Sequence, residues 1–125
     1  MGLIDSAEQA TRGRLWLIGG VFEEQSGIYS FGGWFRQGGV LEREIRGKLV
    51  DEGGESEIMG TFDPEQYLKF DKTYPKIHDS FKYELRFENG LWLGEFKGQC
   101  PRDYRKGPIE AIVTPISSTP RCLLG

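Results

Sequence analysis

The chain has little of what metal, redox or nucleophilic chemistry requires. One histidine and two cysteines occur in 125 residues. Cys100 and Cys122 form no CxxC pair, so a zinc site of ordinary composition lacks ligands. Free thiols in a reducing compartment are expected, with no metal and no cofactor. No G-x-G-x-x-G motif precedes a helix, so the glycine pairs make no phosphate loop. No acid–base pair stands at a diagnostic spacing, so the reading leans away from catalysis. Long apolar runs are also missing. Leu15 to Ile18, extended by Val21 and Phe22, falls far short of the ~20 residues a membrane-spanning helix needs. No secretory pattern opens the sequence, and a cytoplasmic protein is expected. A basic excess is absent too: 16 basic and 19 acidic residues leave a net charge of −3. They are interspersed, so nothing resembles the basic stripe of a nucleic-acid binder.

Glycine and aromatics are what the chain has. Eighteen glycines accompany eight phenylalanines, five tyrosines and three tryptophans. That mixture favours a sheet protein with tight turns over a helical bundle. The length suits one domain, 1–125, with 1–12 and 117–125 peripheral. Asp5 or Ser6 could cap a short helical turn in the first of these segments.

The stretch 67–97 organises the rest. Phe81, Tyr83, Leu85 and Phe87 alternate with Lys82, Glu84, Arg86 and Glu88, the period of two of a half-buried strand. Asn89-Gly90 follows, a pair that tolerates the positive φ of a type I′ turn. A two-residue loop sets the register. Glu88 faces Leu91, Phe87 faces Trp92, Leu85 faces Gly94 and Tyr83 faces Phe96. A second hairpin turns at 51–54, placing Val50 opposite Glu55, Lys48 opposite Glu57, Gly47 opposite Ile58 and Ile45 opposite Gly60. Large residues meet glycines, the alternation that fills a small tapering barrel.

Strands are predicted over 14–22, 28–37, 40–51, 55–62, 66–74, 81–88, 91–97 and 109–114. A loop of ten residues is expected at 98–107. The fold class is all-β: an eight-stranded antiparallel up-and-down barrel, a meander that closes to remove its edges. Two segments are apolar on both faces. One begins at Arg14 and ends at Phe22; the other runs from Ile28 to Gln37. Each needs cover on both sides, from the N-terminal segment, the C-terminal tail or a second copy, so a homo-oligomer through these strands is a candidate.

These residues resemble the calycin group of lipocalins and avidin-like barrels. Gly32-Gly33-Trp34 matches the lipocalin G-x-W, and Asp103-Tyr104 is similar to part of their T-D-Y. Gly47, Asp51, Gly54, Ile58 and Gly60, then Lys72-Thr73-Tyr74 and Trp92-Leu93-Gly94, resemble small avidin-like proteins. The chain departs from lipocalins in having a whole strand before its G-x-W. No biotin-site pattern carries over. The resemblance implies a barrel with an internal cavity.

Candidate ligand-binding residues follow from face and chemistry. Lys72 lies among Leu68, Phe70 and Tyr74, and Arg36 shares a face with Trp34. An inward cation needs a partner, so either would take an anion or a ligand's acidic head. The alternative places each at a strand end, reaching water along its alkyl stem. Trp34, Trp92 and Phe96 would wall the pocket, and Tyr83 would orient the ligand by its phenol. Aromatics also serve as plain core, and Phe81 and Phe87 share the face of Tyr83. His78 sits in a polar connection where an idle histidine is commoner than a base. Cys100 lies near Arg102, Arg105 and Lys106, which favour thiolate, but no histidine is nearby. The reading is a barrel that binds a small hydrophobic or amphipathic molecule inside. The alternatives are a solid interaction module and a cofactor-free isomerase or cyclase.

Overall fold

Alternating side chains close into a tube in the computed structural model, which describes residues 14–38, 43–75, 79–99 and 105–116. The strands are β1 (Arg14–Glu24), β2 (Gly27–Gln37), β3 (Glu44–Asp51), β4 (Gly54–Asp63), β5 (Tyr67–Tyr74), β6 (Asp79–Glu88), β7 (Leu91–Gly98) and β8 (Lys106–Pro115). Each pairs antiparallel with the next, and β1 pairs with β8, giving a closed barrel in meander order. No helix among the described residues is long and apolar enough to cross a membrane. His78, Cys100, Asp103, Tyr104, Cys122, residues 1–12 and the tail 117–125 lie outside the described residues.

The expected registers are the observed ones. Leu85 faces Gly94 and Tyr83 faces Phe96 across β6–β7. Gly47 faces Ile58, Ile45 faces Gly60, and Lys48 faces Glu57 across β3–β4. The ends differ. β1 continues to Glu24 and β2 starts at Gly27, so Gln25 and Ser26 alone make the turn, not a five-residue loop. β8 begins at Lys106, where Lys97 pairs with it, which shortens the expected loop of ten residues. Backbone pairing extends past the last apolar residue because a ladder needs no hydrophobic side chain.

Asn89 adopts φ 50° and Gly90 φ 86°, the conformation the Asn-Gly pair suits. Gly90→Ala is therefore expected to cost about 1–2 kcal/mol, since a Cβ disfavours the left-handed region. The urea midpoint of that variant is the check.

The inner face is aromatic. At the end that holds the β6–β7 turn, Trp16 meets Phe62 edge-on at 4.9 Å, Phe62 meets Phe35 at 5.1 Å, and Phe62 meets Trp92 at 5.4 Å. The Trp16 indole donates to Gln37 Oε1 (3.2 Å), and Gln37 Nε2 donates to the Phe62 carbonyl (3.1 Å). These rings plug that end. Phe87, expected as core or pocket wall, is 42% exposed at the rim, its ring centre 5.1 Å from that of Trp92.

Candidate functional site

The open end gathers the inward-facing charges. On β3 the inward positions run Ile45, Gly47, Leu49, Asp51; on β5 they run Leu68, Phe70, Lys72, Tyr74. Parity thus carries Asp51, Lys72 and Tyr74 to one level, next to the β3–β4 turn. Lys72 Nζ donates to Asp51 Oδ2 at 2.7 Å and to Tyr74 Oη at 2.8 Å. The Tyr74 hydroxyl donates in turn to Asp51 Oδ2 at 2.6 Å. The Gly53 amide donates to Asp51 Oδ1 at 2.8 Å, which holds the carboxylate in place. The side chains of Lys72 and Asp51 are 3% and 1% exposed. A buried cation needs such a partner, because desolvation without one is costly.

Four rings enclose the ammonium. Lys72 Nζ lies 4.8 Å from the Tyr74 ring centre, 5.0 Å from Tyr83, 5.3 Å from Phe81 and 5.5 Å from Phe22. Ring faces attract cations, and most strongly where water is excluded. Burial lowers the Lys72 pKa, and the hydrogen bond and charge of Asp51 work against that shift. Burial raises the Tyr74 and Tyr83 phenols, with Asp51 adding to both.

Above this cluster lies a cavity of about 280 Å³. Phe22, Tyr29 and Tyr74 form its aromatic wall, Asp51 its floor, and Glu24, Glu52 and Arg105 its polar rim. The Tyr29 hydroxyl is tied to Ser26 Oγ at 2.6 Å, and the Arg105 guanidinium stacks 4.7 Å from Phe81. A larger concavity, about 630 Å³, lies on the outer face of β5–β7 among Lys69, Lys82, Glu84 and Glu95. Its charges stand on exposed strand positions and do not reach the inner cluster.

Lys72, Tyr83 and Phe96 come together at the open end. Tyr83 stacks on Phe70 at 4.7 Å and on Phe96 at 5.7 Å. Trp92 is inward but belongs to the aromatic plug at the far end. Trp34 and Arg36 correct the expectation of an inward cation on β2. Both face outward, Trp34 is 37% exposed, and the Arg36 guanidinium lies 5.9 Å from its ring. The inward set on β2 is Phe31, Gly33 and Phe35, so the parity that buries Phe35 turns Arg36 to solvent. Asp51, Tyr74, Phe22 and Arg105 were not among the expected site residues. Strand parity could have found Asp51, which shares a face with Ile45 and Leu49; its reading as a turn residue hid it.

No family model matches the chain, and no curated protein matches it. Solved structures do. One, EF1p2_mFAP2b bound to DFHBI, is similar at 14% identity with a TM-score of 0.52, over 86% of this chain and 95% of that one. Another, a redesigned β-barrel, mFAP1, bound to DFHBI, is similar at 12% identity with a TM-score of 0.51, over 84% and 95% of the two chains. The likeness is one of fold.

Proposed function

We propose that the chain binds a small aromatic or amphipathic molecule at the open end of its barrel. The carrying observation is the cavity of about 280 Å³ between Phe22, Tyr29 and Tyr74, floored by Asp51 and rimmed by Glu24, Glu52 and Arg105. Apolar walls with a few convergent polar groups are the usual make-up of a small-molecule site. Its size sits at the lower edge of such sites, about 300 Å³, and suits a molecule of one or two rings. Barrels of the same fold that hold DFHBI support this reading. Tyr83 and Phe96 back the aromatic wall, while Lys72 acts through Asp51 and Tyr74.

Amide shift mapping tests the proposal, with benzyl alcohol and benzoate as probes. Shifts should cluster at Phe22, Glu24, Gly53 and Tyr74. Shifts confined to Trp34 and Arg36, or none at all, would overturn it. Glu24→Gln with Glu52→Gln is expected to strengthen benzoate binding several-fold by removing like charge at the rim.

A second reading rests on the outer face. Leu17, Val21, Val50 and Ile112 are each 40% exposed or more, around the directly paired Gly19 and Gly32. We infer that a second copy covers this face. Leu17→Lys should then shift sedimentation from dimer toward monomer; a wild-type protein that is monomeric at all concentrations removes the idea.

A further inference from the structure

We propose that the mouth cavity selects small aromatic amines in their protonated form. The inference rests on the binding reading above and deepens it by naming the ligand class. Its ground is the set of side chains that line the cavity. Among the described residues, three of these are acidic, Glu24, Asp51 and Glu52, and one is basic, Arg105. Phe22, Tyr29 and Tyr74 supply rings. Phe22 and Tyr29 stand side by side, their ring centres 5.6 Å apart and their planes tilted by 32°.

Each part of an aromatic ammonium finds a counterpart here. Its ring packs on the aromatic wall, and its charge is drawn to ring faces by their quadrupole. Lys72 shows that two of these rings already accept a cation. From beneath the cavity, its Nζ lies 4.8 Å from the Tyr74 ring centre and 5.5 Å from that of Phe22. Asp51 Oδ2 meets that ammonium at 2.7 Å, so the pair presents no net charge to the cavity.

Asp51 also keeps a place for a ligand N–H. Its Oδ2 accepts from Lys72 and from Tyr74, whereas Oδ1 accepts from the Gly53 amide. A carboxylate oxygen accepts about two hydrogen bonds, so Oδ1 has room for one more. With Asp51 balanced by Lys72, the rim holds two carboxylates, Glu24 and Glu52, against the guanidinium of Arg105. That guanidinium is stacked 4.7 Å from the Phe81 ring centre. An entering cation therefore meets an excess of negative charge. An anion of the same size meets repulsion, and a neutral molecule gains nothing from the rim.

Titration calorimetry of the full chain at neutral pH and low salt tests this with three probes of similar shape: benzylammonium, benzyl alcohol and benzoate. Benzylammonium should bind about tenfold tighter than benzyl alcohol, a ratio equivalent to about 1.4 kcal/mol, and benzoate should bind most weakly. In Glu24→Gln with Glu52→Gln the ratio of ammonium to alcohol affinity should fall toward one. Glu52→Gln alone, at an exposed turn position, should lower it part of the way. Near-UV circular dichroism checks that the variants keep the parental barrel. Equal affinities for ammonium and alcohol, tighter benzoate, or a ratio that both variants leave intact overturn the choice of ligand class. If benzyl alcohol still shifts the Phe22 and Tyr74 amides in that case, the binding reading survives; if none of the three probes binds, both fall.

Discussion

Gly94→Ala is expected to cost more than about 4 kcal/mol, or to prevent folding, the range reached when a core position is overfilled against atoms that cannot move aside. A Cβ built at Gly94 would lie 1.8 Å from the Glu84 carbonyl oxygen and 2.7 Å from Leu85 Cα. Both are backbone atoms of the paired strand, so relief would require breaking the β6–β7 ladder. The residue opposite is Leu85, whose side chain fills the space the glycine leaves. The control is Gly19→Ala, where the nearest atom is 3.8 Å away and the side chain would face outward. That variant should stay within about 0.5 kcal/mol of the parent. Urea unfolding of both variants decides. A Gly94→Ala protein with the parental midpoint would mean that β6 and β7 do not approach this closely.

The second large effect belongs to the ion pair. Asp51→Ala leaves the Lys72 ammonium buried without its carboxylate, and breaking one side of a buried pair costs about 3–5 kcal/mol. Lys72→Met added to Asp51→Ala should recover most of that loss, because a thioether needs no counter-charge among four rings. Recovery by the double variant separates lost pairing from lost packing, which it would not restore.

The same cluster shapes stability against pH. Burial sets the folded Lys72 pKa below its ordinary 10.5, so between those two values the unfolded chain binds more protons. Stability then rises with pH across that window. Tyr74 and Tyr83 act in reverse. Their folded values lie above the ordinary 10.0, so above pH 10.0 the unfolded chain loses protons the native state keeps. Their contribution is intact below pH 10.0 and drains away as pH climbs beyond it. Urea midpoints from pH 8 to 12 should therefore rise and then fall. Lys72→Met should flatten the rise, and Tyr83→Phe should weaken the fall. A Tyr83→Phe protein with an unchanged alkaline limb would show that Tyr83 ionises as freely folded as unfolded.

Much of this architecture could be read along the chain. The alternation Phe81 to Glu88, the Asn89-Gly90 turn and the glycines opposite Leu85, Ile45 and Ile58 specify strands, register and a narrow bore together. The site was less legible. Lys72 stood out because it breaks an apolar face, and Tyr83 because its phenol shares one. Asp51 did not stand out, since aspartate beside Gly53-Gly54 reads equally well as turn chemistry. Arg36 misled because β2 is apolar on both faces, and composition alone does not say which face is the inner one.

Local order therefore followed from the amino-acid pattern: period two, turn pairs and small-against-large matching act between near neighbours and leave few alternatives. Closure of β8 on β1 was already expected from eight strands in meander order, whereas the choice of inner face for β2 and the meeting of Asp51 with Lys72 were decided by the fold. Those outcomes join residues many positions apart, 21 in the case of the ion pair. Only the curvature of the completed barrel determines which of them share its interior.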